Sequence, residues 1–162
     1  MPHQPRAATS IAAPLDVVWA VMLDTDRYAE WNSFVVEART TPDPQPGDPI
    51  ELTVEFRPGG RRTVSPERIS VVEPPTTGQD GGATRRARLA YEYVGWPARL
   101  GLVRGTRWQV LTQRPGEPTS YETCEEFRGP LVALAGPARV EAGFRRHAED
   151  LRERAESLGP RA

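Results

Sequence analysis

The chain contains no lysine; its 21 basic residues other than histidine are all arginine. Together with frequent alanine, glycine and proline, this reads as the codon usage of a GC-rich genome and carries no functional information. Cysteine occurs once, at position 124, which excludes an internal disulfide and fits a reducing compartment. A nucleophilic role for Cys124 would need a basic partner, and none is visible beside it in the sequence. The histidines number two, His3 and His147, too few for a multi-histidine metal site, and His3 falls in a terminus expected to fray. There is no HExxH, no pair of CxxC motifs, no P-loop and no GxGxxG after a strand, so no cofactor is expected. Long apolar runs are also missing. "MPHQPRAATSIAAPLDVV" holds none of signal-peptide length, and no stretch approaches the roughly 20 apolar residues that span a bilayer. The expectation is a cytoplasmic protein with no membrane insertion. Charge of one sign does not accumulate either. The net charge is -1, which argues against a nucleic-acid partner.

What is present is ordinary globular material: 162 residues, 38% hydrophobic and 27% charged. That length suits one domain, residues 1–162 with a core over 6–158, able to bury roughly 70% of its unfolded surface without a metal or disulfide staple.

Along the chain, Ala7–Ala12 reads as a strand. "APLDVVWAVMLD" reads as a helix with Pro14 in its first turn and a stripe of Val17, Val18, Val21 and Met22. "DTDRYAEWN" reads as a turn or a second short helix. Strands follow over 34–39, 50–56, 63–72, 86–94, 106–113 and 119–128, separated by turn chemistry such as "RPGGRR" and "RPGEP". "EPPTTGQDGGA" is expected to be a mobile loop tip, and "GWPARLGLVRG" an irregular apolar connection. The last and longest signal starts at Pro137. Val140, Phe144, His147, Ala148, Leu151, Ala155 and Leu158 follow a 3.6-residue period until Gly159-Pro160 ends it. The order is α+β, an antiparallel sheet covered on one face.

Three segments in this order, "SIAAPLDVVWAVMLDTDRYAEWNSF", "WPARLGLVRGTRWQVL" and "YETCEEFRGPLVAL…GFRRHAEDLRERAE", resemble the START-like, or SRPBCC, superfamily and within it the polyketide cyclase/dehydrase branch. The resemblance implies a helix-grip fold, a seven-stranded antiparallel sheet wrapped around a long C-terminal helix. It also implies a deep cavity between the two, with two short helices near its mouth. Tyr28, Trp31 and Phe34 would then stand at the cavity entrance, offering apolar area and two polar handles; equally, they could cap the core.

Several residues could carry chemistry. His147 lies between Phe144 and Leu151 on the apolar stripe and could serve as an acid/base if that face looks into the cavity; otherwise it is a hydrogen-bonded histidine at the stripe's edge. On the last strands two registers are open. If Phe127 points inward, alternation also sends Tyr121, Thr123 and Glu125 inward, opposite Arg107, Gln109 and Leu111. Arg107 would then need a partner such as Glu125 and could stabilise an oxyanion. A one-residue shift instead buries Trp108, Val110 and Cys124 and leaves the charges in solvent. Tyr91 and Tyr93 share a face and could bond ligand oxygens or simply fill the core. Trp96 lies in a loop of the rim.

Three functions fit. The first is a cofactor-independent polyketide cyclase or dehydratase, with His147 as acid/base and Arg107 as oxyanion stabiliser. The second is a carrier for a lipid, quinone or aromatic metabolite in the same cavity. The third is a protein-interaction module. The partner implied by the first two is a hydrophobic, polyketide-like or aromatic small molecule, held by a monomer or homodimer.

Overall fold

The computed structural model describes residues 4–77 and 83–159; His3 and the tip of the loop expected to be mobile lie outside them. In chain order the elements are β1 (Arg6–Ile11), α1 (Leu15–Leu23), a 3-10 turn (Thr25–Arg27), α2 (Tyr28–Trp31), β2 (Val35–Arg39), β3 (Pro49–Glu55), β4 (Arg62–Thr77), β5 (Arg85–Tyr93), α3 (Trp96–Arg99), β6 (Arg104–Gln113), β7 (Thr119–Arg128), a second 3-10 turn (Val132–Ala135) and α4 (Pro137–Leu158). The seven strands form one sheet in the order β1-β7-β6-β5-β4-β3-β2, every pairing antiparallel. The sheet wraps around α4, and this is the helix-grip arrangement.

Alternation builds the inner face. On β3, Ile50, Leu52 and Val54 are buried, and on β5 Ala87, Leu89 and Tyr91 are. The register shifts between Ile69 and Val71, between Glu73 and Thr76 and between Val35 and Glu37. Such bulges bend the strands so that the sheet curls around a helix. The apolar stripe of α4 is buried from Val140 to Ala155, whereas Leu158 at its end is 55% exposed. On α1 the buried set is Leu15, Val18, Trp19, Val21 and Met22, with Val17 half-buried, so the helix is rotated slightly from the expected stripe.

Two local expectations are corrected. Glu73–Thr77 continues β4 rather than starting a loop, because Glu73, Thr76 and Thr77 pair with Arg88, Arg86 and Arg85. The connection after β5 is not irregular throughout: Trp96–Arg99 forms one helical turn with Pro97 in its first positions, where the missing amide donor costs nothing.

The two ends of α4 face different surroundings. Leu151 and Ala155 are fully buried, as are Ile11, Leu15 and Val18, and α4 packs there on β1 and α1. That end is filled. Val140 and Phe144, about two to four turns earlier, line an open space.

Candidate functional site

That space is a cavity of about 380 Å3 between the sheet and the N-terminal half of α4. Its walls are apolar: Phe34 just before β2, Leu52, Val54 and Phe127 from the sheet, and Val140 and Phe144 from α4. Its rim carries Val64, Trp96, Leu131 and Leu134, all exposed, with Trp96 at 68% and Leu134 at 74%. Phe34 reaches the helix closely because residue 143 is glycine: a Cβ there would lie 2.3 Å from the Phe34 ring.

Across the floor runs a row of polar side chains, one or two from each of four neighbouring strands: Ser65 and Glu67 on β4, Tyr93 on β5, Arg107 on β6 and Glu125 on β7. Pairing explains the row. Glu67 stands opposite Tyr93, and Arg107 stands opposite both Tyr91 and Glu125. Of the two registers open for β6 and β7, the protein adopts the one that buries Arg107, Gln109, Leu111, Tyr121, Thr123 and Phe127. Trp108, Val110 and Cys124 lie on the opposite face, against Ala7 and Ala8 of β1.

Arg107 is 4% exposed. Its Nε donates to Thr123 Oγ1 at 3.2 Å, and its guanidinium lies 4.3 Å from the centre of the Phe144 ring, a cation–π contact that compensates part of the lost hydration. Its Nη2 is buried with no hydrogen-bond partner. Among the described residues no ion pair joins it to Glu125, although the two are cross-strand neighbours. A buried guanidinium without a direct counter-ion is costly, and it retains hydrogen-bonding capacity for a ligand oxygen.

The two glutamates line the cavity and are half-buried. Glu67 Oε1 accepts from Ser65 Oγ at 3.1 Å. Burial pushes its carboxyl up to about 7, against the pull of Ser65 and Arg107. Glu125 rests over Gly105, where a Cβ would come 2.4 Å from its Oε1. Burial and then the charge of Glu67 push Glu125 up to about 8, with Arg107 opposing. Burial, followed by Glu67, also raises the Tyr93 hydroxyl. The row therefore holds a guanidinium, two carboxyls raised into the neutral range and a phenol. Glu67 and Tyr93 also border a wider groove of about 910 Å3 on the other side, lined by Arg68, Arg99, Arg104 and Arg128.

Behind the cavity lies a closed polar layer. Tyr121 donates to Gln109 Oε1 at 2.9 Å, and Tyr28 donates to the Met22 carbonyl at 2.6 Å. His147, 1% exposed, sits among rings, with centres 5.7 Å from Trp31, 6.0 Å from Tyr121 and 6.5 Å from Tyr28. Burial, reinforced by the charge of Arg107, holds its imidazole well below the ordinary histidine range.

Of the residues singled out in the sequence, Phe34, Tyr93, Trp96, Arg107, Glu125, Phe127 and Phe144 line the cavity. Tyr28, Tyr91, Gln109, Tyr121, Thr123, His147 and Leu151 are buried elsewhere, and Trp31 borders a small depression with Val17 and Arg154. The aromatic corner at residues 28–34 thus contributes only Phe34; Tyr28 and Trp31 pack around His147. Glu67 escaped notice. Its signal was there, since Glu67 shares strand parity with the apolar Ile69 two residues on. Among the described residues no group of three or more His, Cys, Asp or Glu is placed to hold a metal, and no helix is long and apolar enough to cross a membrane. The absence of lysine rules out a lysine Schiff base.

A curled antiparallel sheet gripping one long helix over an amphipathic cavity defines a helix-grip protein. The chain belongs to the polyketide cyclase/dehydrase and lipid transport family, whose model matches residues 11–153. Among solved structures it is similar to the Zhui aromatase/cyclase from Streptomyces sp. R1128, with 18% identity, 95% of this chain and 93% of that one covered, and a TM-score of 0.68. It is also similar to the di-domain aromatase/cyclase BexL from the BE-7585A biosynthetic pathway, at 15% identity and a TM-score of 0.61, covering 99% of this chain and 50% of the di-domain. A third is norcoclaurine synthase from Thalictrum flavum, at 12% identity and a TM-score of 0.59, with 99% and 95% covered. At these identities the likeness is one of fold. No curated protein matches the chain significantly.

Proposed function

We propose that the protein binds a hydrophobic, carbonyl-bearing small molecule in this cavity and acts on it as a cofactor-independent cyclase or dehydratase of polyketide-like or aromatic intermediates. The observation that carries the reading is Arg107, a buried cation with one unpartnered nitrogen, set among carboxyl groups in an otherwise apolar cavity. Such a group is costly to bury, and its cost is offset most where charge develops on a ligand oxygen during reaction. Ring closure on a chain of alternating carbonyls needs proton transfer, stabilisation of an enolate oxygen and a shaped wall that folds the chain. Arg107 supplies the oxyanion contact. Phe34, Phe127 and Phe144 supply the wall. His147, proposed from the sequence as the acid/base, is set aside, because it does not line the cavity and its basicity is suppressed.

A carrier for the same class of molecule is the second reading, and the exposed apolar rim of Trp96, Leu131 and Leu134 favours it. The test is incubation of wild type and Arg107→Gln with a synthetic polyketone thioester, followed by mass spectrometry of free and bound material. Loss of water from the substrate with wild type, and not with Arg107→Gln, supports the enzyme. Unchanged substrate recovered bound to wild type moves the assignment to the carrier.

A further inference from the structure

We infer that Glu67 and Glu125 form a coupled acid–base pair that carries out carbon–carbon bond formation and then loss of water on one bound molecule. The inference rests on the catalytic reading of the cavity. Both side chains line the same cavity as Arg107. Glu125 is the direct cross-strand partner of Arg107, and Glu67 faces the same interior from β4, opposite Tyr93. Neighbours shape the position of each. Ser65 donates to Glu67, and the missing side chain at Gly105 lets Glu125 Oε1 lie where a Cβ would come within 2.4 Å. The other charged or titratable groups lining the cavity are Arg107 on β6 and Tyr93 on β5; α4, the 3-10 turn before it and α3 bring apolar side chains such as Phe144, Leu134 and Trp96. His147 lies outside the cavity and is neutral.

The two carboxyls are separated in affinity for the proton. Burial raises both carboxyls into the neutral range and the charge of Glu67 raises Glu125 further, so the pair gives up one proton and keeps the other; its singly ionised form with Glu67 as carboxylate and Glu125 as acid starts the reaction. Two carboxyls in one site share charge poorly, and the second proton is retained.

The pair then balances a condensation and a dehydration. Glu67 takes a proton from a methylene between two carbonyls, and the enolate oxygen that forms lies against Arg107. The enolate carbon attacks a second carbonyl carbon; the carbon–carbon bond forms, and the new alkoxide takes the proton of Glu125. Glu67 is now the acid and Glu125 the base. Glu125 removes the remaining proton of the same methylene carbon, a double bond forms, and the hydroxyl leaves as water with the proton from Glu67. The substrate has lost one water, both carboxyls are back in their first state, and no oxidant or cofactor has been used.

The test has two parts, and the first needs no substrate. Carbon NMR of protein labelled at the glutamate carboxyls follows each titration, with Glu67→Gln and Glu125→Gln used for assignment. Two carboxyls should titrate near neutral pH, and Glu125 should titrate at lower pH in Glu67→Gln. Titration of either in the ordinary range near about 4.3, or indifference of Glu125 to the loss of Glu67, overturns the pair. The second part uses benzoylacetone in deuterated water, reading exchange at its central methylene. Exchange accelerated by wild type, reduced on the order of 100-fold or more in Glu67→Gln and kept in Glu125→Gln, with benzoylacetone binding retained in both, supports Glu67 as the base of the pair. Acceleration that persists in Glu67→Gln overturns the pair and leaves the catalytic reading standing. No acceleration by wild type overturns both.

Discussion

Asn32 Nδ2 lies 2.9 Å from His147 Nδ1, joining the corner after α2 to the middle of α4. Asn32 Oδ1 already accepts from the backbone amides of Phe34 and Val35, at 3.1 Å and 2.9 Å. The amide nitrogen of Asn32 is therefore the donor, Nδ1 of His147 the acceptor, and the imidazole proton sits on Nε2. Neighbouring residues on α4 grip the same corner. Asp150 Oδ2 accepts from Ser33 N and Oγ, at 2.7 Å and 2.6 Å, and Arg146 donates to the carbonyls of Ser33, Glu55 and Phe56. The aromatic corner is a clasp on α4, and only its last ring reaches the cavity.

Asn32→Ala should therefore act on stability. It leaves two backbone amides and the His147 acceptor without partners in the interior, a loss of roughly 3 kcal/mol at 1–3 kcal/mol per strongly desolvated group. Urea unfolding of the two proteins measures it. A change below about 0.5 kcal/mol would mean the clasp is not formed in solution.

The neutral His147 has a pH signature. Its folded-state pKa is depressed, so the unfolded chain binds the extra proton first, and the stability that His147 contributes is lost as pH falls below about 6.5. Relative to His147→Phe, wild type should lose roughly 1.4 kcal/mol per pH unit below that point. The comparison with the variant isolates this slope from Glu67 and Glu125, which act in the opposite direction. Parallel stability–pH curves would show that His147 is solvated.

Glu67 and Glu125 are raised above their unfolded values. Their stabilising share is complete below about 4.3 and is lost as pH rises through about 7 and about 8. Wild type should therefore lose thermal stability between pH 5 and 8, in the arithmetic of about one proton per group, relative to the double variant Glu67→Gln/Glu125→Gln. Melting curves across that range check the sign; parallel curves would place both carboxyls in solvent, and a wild type that gains on the variant as pH rises would show them ion-paired.

Gly143→Ala reverses an ordinary rule. Inside a helix alanine is favoured over glycine by about 1 kcal/mol. Here the added methyl meets the Phe34 ring at 2.3 Å, so the variant should be less stable than wild type and should bind benzoylacetone more weakly as Phe34 is pushed into the cavity. Calorimetry of unfolding and of binding reads both. A stabilised variant would show that Phe34 sits elsewhere.

Much of this was legible before the structure. The 3.6-residue stripe from Val140 to Ala155 and the turn chemistry between strands follow directly from side-chain period and from glycine and proline. The inward face of β6 and β7 could be stated only as a choice, because Arg107 and Trp108 are both plausible inward residues and a shift of one position exchanges them. Glu67 was missed because a glutamate in a polar strand reads as solvated; only the parity of Ile69 marks its face. His147 could be placed on the inner stripe but not outside the cavity. Where the cavity ends depends on the bulges that curl the sheet, and on Asn32, 115 residues away in the chain.

The central claim is that a carbonyl-bearing ligand sits between Phe144 and the polar row, with an oxygen on Arg107. The most direct measurement is a crystal structure of the protein with benzoylacetone. The account predicts the phenyl ring against Phe127 or Phe144 and a ligand oxygen within hydrogen-bonding distance, about 3 Å, of the Arg107 guanidinium. A cavity left empty while the compound occupies the arginine-lined groove on the other side, or a ligand whose oxygens turn away from Arg107, would contradict it.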